Sequence, residues 1–166
     1  MSHVNLTRRN RGYSFEYDLV NRFNNIPNWY ARRLGGSSTG LPDIVATSNH
    51  GSVLSIECKS TVGDNAYVPV DQVERCITTL DLFSLYPKKR IIFAFKFGQK
   101  KGYKLREYFF DGEFLKYDGL DHVHFVKCKR DGECVIKYDN DGAFDLGVPY
   151  TFETLVNPTV LETWLT

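Results

Sequence analysis

The sequence predicts an α/β fold: a mixed central β-sheet flanked by helices, with a β-rich extension at the C-terminal end. Three observations carry that expectation. Residues 14–25 repeat Phe15, Leu19 and Phe23 at four-residue steps, which gathers them on one helical face. The stretches "SVLSIECKS" (52–60) and "RIIFAFKF" (90–97) are short and apolar, as buried strands are. Between them, "VPVDQVERCITTLDLFSLY" (68–86) places Val70, Val73, Ile77 and Leu80 on one helical stripe. A strand–helix–strand run of this kind implies one parallel crossover.

The elements follow in chain order. Residues 1–12 carry Arg8, Arg9 and Arg11 and read as a flexible basic arm. A helix follows over 14–25, with Glu16 on the flank of its apolar face and Pro27 as its stop. "WYARRL" (29–34) is a strand, "GGSSTG" (35–40) a loop and "LPDIVATS" (41–48) a second strand. Asn49-His50-Gly51 turns the chain into the third strand. The helix over 68–86 has Pro69 at its start and Pro87 beyond its end. Strands over 90–97 and 104–110 follow. Strands near 122–129 and 133–138 form a hairpin at Asp131-Gly132, and a short helix is expected within 151–165. On a two-residue turn, Cys134 pairs across with Lys129 and Cys128 points to the other face. The four cysteines show no zinc spacing and read as buried free thiols.

The organisation expected is a single domain over 1–166, with the basic arm at 1–12, a core at 13–110 and an acidic extension at 111–166. Composition supports an ordinary globular chain: 42% hydrophobic, 25% charged and a net charge of +1. The charge is unevenly spread. Residues 1–110 hold 16 Lys+Arg against 9 Asp+Glu, and residues 111–166 hold 5 against 11. A polyanion, if one is bound, therefore meets the first two thirds. No apolar run reaches the roughly 20 residues that span a bilayer, and the N-terminus lacks a signal-peptide core. An intracellular, cytoplasmic protein with reduced thiols is expected.

The chemistry concentrates in "GLPDIVATSNHGSVLSIECKST" (40–61). Strand alternation puts Leu54, Ile56 and Cys58 on one face and Val53, Ser55, Glu57 and Lys59 on the other. A tight turn brings Asp43, at the start of the preceding strand, toward Glu57. Two partly buried carboxylates repel unless something neutralises them. A hard divalent cation does so with oxygen ligands, which suits Mg²⁺, with Mn²⁺ as a substitute. Lys59 then stands where it can orient or deprotonate a water, and such a set suits phosphodiester hydrolysis. The same triplet also fits a solvent-facing Glu57–Lys59 ion pair with Asp43 as a strand-start residue. The loop Gly36, Ser37 and Ser38 offers backbone N–H groups and hydroxyls to a phosphate, and equally suits a plain hairpin loop. Arg8, Arg9 and Arg11 suit contact with a nucleic-acid backbone and equally suit a disordered tail.

"PD", thirteen residues, then "ECK" resembles the signature of the restriction-endonuclease-like nuclease superfamily. Together, "RNRGYSFEYDLVNRF", "RRLGGSSTGLPDIVA", "SIECKST" and "YVPVDQVERCITTLDLF…RIIFAFKF" resemble the archaeal Holliday-junction resolvases over roughly residues 8–110. The resemblance implies a restriction-endonuclease-like core and a homodimer making paired, metal-dependent nicks in a four-way DNA junction, in recombination and repair. Carried over by position, it implies Asp43 and Glu57 as metal ligands, with the backbone carbonyl of Cys58 as a third. Lys59 positions or activates the water. Glu16 completes the acidic cluster and reaches the metal directly or through water. Arg33 becomes a phosphate clamp, and Gln72 lies near the site. The alternatives are another nuclease of the same superfamily acting in repair or restriction, or a branched-DNA binding module without turnover. An acidic extension does not suit a broad DNA footprint, so residues 111–166 are expected to face away from DNA, join the dimer contact or dock a protein partner. Action at the nucleoid follows from the DNA substrate.

Overall fold

Among the described residues, apolar alternation and helical periodicity resolve into twelve elements. The computed structural model describes residues 3–35, 39–98, 105–112, 123–138 and 143–159. In chain order they are α1 (His3–Asn24), β1 (Trp29–Arg33), β2 (Ile44–Ser48), β3 (Ser52–Thr61), β4 (Asn65–Pro69), α2 (Val70–Asp81), β5 (Lys88–Phe97), β6 (Arg106–Asp111), β7 (Val123–Lys129), β8 (Cys134–Tyr138), β9 (Ala143–Asp145) and α3 (Phe152–Leu155). The central sheet has the order β1-β2-β3-β5-β6, and a second sheet has the order β4-β7-β8-β9. Only the β3–β5 pair is parallel among the pairs of the central sheet, so α2 forms the single crossover and the sheet is mixed.

Each face of the central sheet is covered. On one side Phe15, Leu19 and Phe23 of α1 pack on Ala46, Leu54, Ile56, Ile92 and Ala94, joined by Phe152 and Leu155 of α3. On the other, Val73, Cys76 and Leu80 of α2 pack with Val53, Ile91, Phe93 and Phe95, and the second sheet closes this core with Ala66, Val68, Val126 and Ile136. These buried side chains are the main favourable term holding the layers together. Among the described residues no helix is long and apolar enough to cross a membrane.

Four local expectations are corrected. The expected basic arm is not a separate segment: α1 runs unbroken from His3 through Arg8, Arg9 and Arg11, since no proline interrupts the helix there. Residues 65–69 form strand β4, with alternating exposure, so Val68 and Pro69 close a strand rather than open the helix. Its pairing with β7 supplies the hydrogen bonds that a five-residue stretch lacks on its own. The second helix therefore starts at Val70, and it ends at Asp81 rather than near 86. Finally, the β7–β8 turn holds three residues rather than two. Lys129 donates its N–H to Glu133 O at 2.8 Å, and Gly132 takes φ +91, the form of a three-residue loop closed by a left-handed residue. The register shifts by one, so Cys134 faces Cys128 rather than Lys129, and both point into the core. All four cysteines are buried and free.

Candidate active site

The site forms where β2 begins and β3 passes beyond it. Ile44 pairs with Ile56 in the antiparallel β2–β3 ladder. One step further in that register sets Asp43 opposite Glu57 on the same face, the closest cross-strand relation a sheet offers. Two steps further sets Pro42 opposite Cys58. Proline has no N–H to donate, so the ladder ends there, and the Cys58 N–H instead donates to Asp43 Oδ2 at 2.8 Å. Within a strand, the N–H and C=O of one residue point the same way. The Cys58 carbonyl is thus directed toward Asp43, with no donor from Pro42 to meet it. This is a physical reason for a Pro-Asp pair at that position.

Glu57 is the buried member, at 3% exposure, because its face of β3 lies under α2 and not in solvent. Lys59 Nζ donates to Glu57 Oε1 at 2.8 Å. The other carboxylate oxygen, Oε2, is buried without a hydrogen-bond partner. Burial pushes the Glu57 carboxyl up to about 7, Lys59 holds it back, and the neighbouring Asp43 carboxyl raises it further. Cys76 of α2 packs against Ser55, two residues before Glu57. Gln72 is one turn earlier on the same helical face, toward the end of β3 that carries Glu57 and Lys59. Its Oε1 is also buried without a partner.

Glu16 arrives from the opposite layer. It lies beside Phe15 in α1, at 8% exposure. Arg33 Nε donates to Glu16 Oε2, and the Arg33 guanidinium lies 4.4 Å from the centre of the Tyr13 ring and 5.6 Å from that of Tyr17. Burial raises the Glu16 carboxyl, Arg33 opposes the rise, and Asp43 adds to it. Glu16 is therefore close enough to Asp43 and Lys59 to feel their charges, yet its direct partner is Arg33. Among the described residues, no three His, Cys, Asp or Glu side chains converge as a ready-made metal-ligand set. The immediate donors are two carboxylates and one carbonyl.

The anticipated residues thus sort by position. Asp43, Glu57, Lys59 and the Cys58 backbone share one strand end, with Glu16 behind them on α1 and Gln72 at the start of α2. Arg33 is engaged with Glu16. Arg8, Arg9 and Arg11 lie along the first half of α1. Gly36, Ser37 and Ser38 fall outside the described residues. Tyr13 and Tyr17 were missed. Their spacing of four along α1 was the available signal for a shared partner.

The electrostatics predict a pH response. The folded chain holds a proton on Glu57 more tightly than the unfolded chain, whose carboxyl keeps the ordinary value of 4.5. The associated stability is fully present below that ordinary value and is lost as pH rises through about 7. The melting temperature of the metal-free protein is expected to fall by several degrees between pH 5 and pH 8, with Glu57→Gln flattening the profile. A scanning-calorimetry series over that interval checks it.

Comparison with known proteins bears on this geometry. A family model described as archaeal Holliday junction resolvase (Hjc) matches residues 7–135. The 1.6 Å structure of Archaeoglobus fulgidus Hjc, described as a Holliday junction resolvase from an archaeal hyperthermophile, aligns with a TM-score of 0.51 and 24% identity, over 72% of this chain and 87% of that one. A search of curated proteins finds no match. The family match spans both β2–β3 with its acids and the α2 crossover. The chain belongs to the archaeal Holliday junction resolvase family, and is a structure-selective, junction-resolving nuclease.

Proposed function

We propose that this nuclease cuts four-way DNA junctions through a divalent cation held by Asp43, Glu57 and the Cys58 carbonyl, with Lys59 and Glu16 beside it. The single observation that carries the reading is the orphaned Glu57 Oε2, buried against a second carboxyl. An acceptor in that position needs a proton or a cation, and leaving it bare is costly. Two carboxylates and a carbonyl fit Mg²⁺, which keeps several waters and takes few protein ligands; Mn²⁺ fits the same oxygen set. When bound, the ion would supply Lewis-acid stabilisation of the phosphate and a more acidic water.

The chain's own groups have separate tasks. The Cys58 N–H holds Asp43 in place, and Pro42 leaves the Cys58 carbonyl open. Lys59 is fixed by Glu57, so its ammonium is aimed along the strand end, where it can hold or move a proton of the attacking water. Arg33 orients Glu16 and screens its charge from Asp43. Gln72, with its buried and unpartnered Oε1, flanks the same strand end from the start of α2. The basic first two thirds, which include α1, suit the DNA backbone.

A homodimer fits the task, because two copies about a two-fold axis face two opposed strands of a roughly two-fold junction. The acidic residues 111–166 suit a role away from DNA, at the dimer contact or against a protein partner. The substrate places the work in the cytoplasm, at the nucleoid.

A nicking assay on an end-labelled four-way junction tests the reading. Paired nicks are expected with Mg²⁺ or Mn²⁺ and none with the metal omitted. Lys59→Ala should lower the rate by at least about a hundredfold. Mg²⁺ should also raise the melting temperature at pH 8 in the wild type and not in Asp43→Asn, a readout independent of turnover. Equal cutting of linear duplex would instead favour a repair or restriction role, and junction binding without cleavage a scaffold. Binding should weaken steeply between 50 and 200 mM salt, roughly as the number of phosphate contacts dictates.

A further inference from the structure

Beside the acids, along the open edge of β1, lies a groove of about 490 Å³ lined by Tyr17, Val20 and Asn24 of α1 and by Tyr30, Ala31, Arg32 and Arg33 of β1. Its size is within the range of small-ligand sites. Two features distinguish it from an ordinary strand edge. The first is that the edge is already closed to another strand. In the β1–β2 ladder Leu34 donates to Asp43 O, so the backbone of Ala31, three residues earlier and of opposite parity, points outward. Both of its groups are taken by one side chain: Ala31 N–H donates to Asn24 Oδ1 at 2.8 Å, and Asn24 Nδ2 donates to Ala31 O at 3.2 Å. A partner adding a strand here would have to displace that amide.

The second feature is what stands in the groove. Tyr17 and Tyr30 are 55% and 61% exposed, large rings left in water next to a catalytic centre. Arg32 is exposed and shares the Tyr30 face of β1, while Arg33 lies over Tyr17 on the α1 side and holds Glu16. Aromatic faces interleaved with cations are the pattern that binds unpaired nucleotides, by stacking on the base and attracting the phosphate. An apolar partner surface would not be met by two arginines.

We propose that this groove receives an unstacked nucleotide from the branch point of the junction, its base against the Tyr30 and Tyr17 rings and its phosphate toward Arg32. Taking a base out of its stack costs least where its stacking neighbours are already lost, as at a branch point. The groove therefore gives the enzyme a way to favour branched over linear DNA that needs no sequence reading. Because Arg33 lines the groove and also holds Glu16, an occupied groove sets the neighbouring backbone beside the acids. The inference rests on the resolvase reading and adds the feature of the substrate that is recognised.

Junctions carrying 2-aminopurine, in turn at each branch-point position and at an interior arm position, test it with the full chain in EDTA. Wild type is expected to change the emission at a branch-point position and not at the interior one. Tyr30→Ala and Tyr17→Ala should return that emission to the free-junction value and weaken junction binding about tenfold, the size of one lost base–aromatic stack. Tyr30→Trp, which keeps a stacking face, should retain both. Tyr67→Ala, an exposed tyrosine of the second sheet, should behave as wild type. An emission change that survives Tyr30→Ala and Tyr17→Ala, or a wild type that binds junctions tightly with no change at any branch-point position, overturns the groove assignment while leaving the resolvase reading in place. A shift in sedimentation of Tyr30→Ala without a change in emission overturns it in favour of a contact between copies. A wild type with no preference for junctions over linear duplex removes both.

Discussion

Glu57→Gln is expected to abolish junction cleavage, by at least about a thousandfold, while junction affinity stays within a few-fold of wild type. The substitution conserves shape and removes one negative charge from a side chain that is 3% exposed. That charge is the one the site cannot neutralise with its own donors, because Lys59 satisfies only Oε1. On the proposed reading an oxygen that would hold the cation is lost, and Lys59 loses the partner that aims it. On the same reading, DNA affinity rests on a separate set of groups, the cations of the first two thirds, so the two properties should divide. Stability should move the other way. In metal-free protein at pH 8 the Asp43–Glu57 repulsion is gone, and the variant should melt several degrees higher than wild type. Asp43→Asn should show the same loss of cleavage. Its amide can still accept from the Cys58 N–H, so the strand end remains in place. Single-turnover cleavage, a binding titration in EDTA and calorimetry on the same preparations check all three. Loss of binding in parallel with cleavage would contradict the division.

The second large effect is structural. Phe23→Ala should destabilise the fold by about 3–5 kcal/mol, which for a chain of this length lowers the melting temperature by roughly 8–15 °C. Phe23 is fully buried. Its ring lies 5.3 Å from Trp29 and 5.0 Å from Phe152, so one side chain joins α1, β1 and α3. Trp29 Nε1 also donates to Val156 O at 3.1 Å, which ties the same cluster to the segment after α3. Nearby, Arg22 reaches Glu107 at 2.7 Å and covers the Phe152 ring at 4.2 Å, a polar clasp that leaves the apolar void unfilled. The consequence extends to chemistry. Glu16 is two turns before Phe23 on the same helix, and its position against Asp43 depends on how α1 seats. Cleavage should fall more steeply with temperature in Phe23→Ala than the folded fraction does, which paired melting and nicking curves will show.

Much of this arrangement was legible in the chain alone. The four-residue steps of Phe15, Leu19 and Phe23, the alternation of Leu54, Ile56 and Cys58 against Glu57 and Lys59, and the apolar run of β5 each impose a local period that sterics and burial read the same way in any context. The Pro42-Asp43 pair and the Glu57-Cys58-Lys59 triplet were visible for the same reason, since strand alternation alone puts Glu57 and Lys59 on one face. Tertiary structure decided the rest. Asn65–Pro69 is too short to declare a period, and it became a strand through its ladder with β7. The β7–β8 register turned on one extra loop residue, which a sequence containing Asp-Gly does not disclose. Glu16 and Arg33 are separated by seventeen positions, and their pairing arises because α1 packs across the edge of the sheet. The state of Glu57 was decided last. Whether an acid in a strand is a solvated surface group or a buried one held near pH 7 depends on what covers its face, and here that cover is α2, contributed by residues beyond the strand itself.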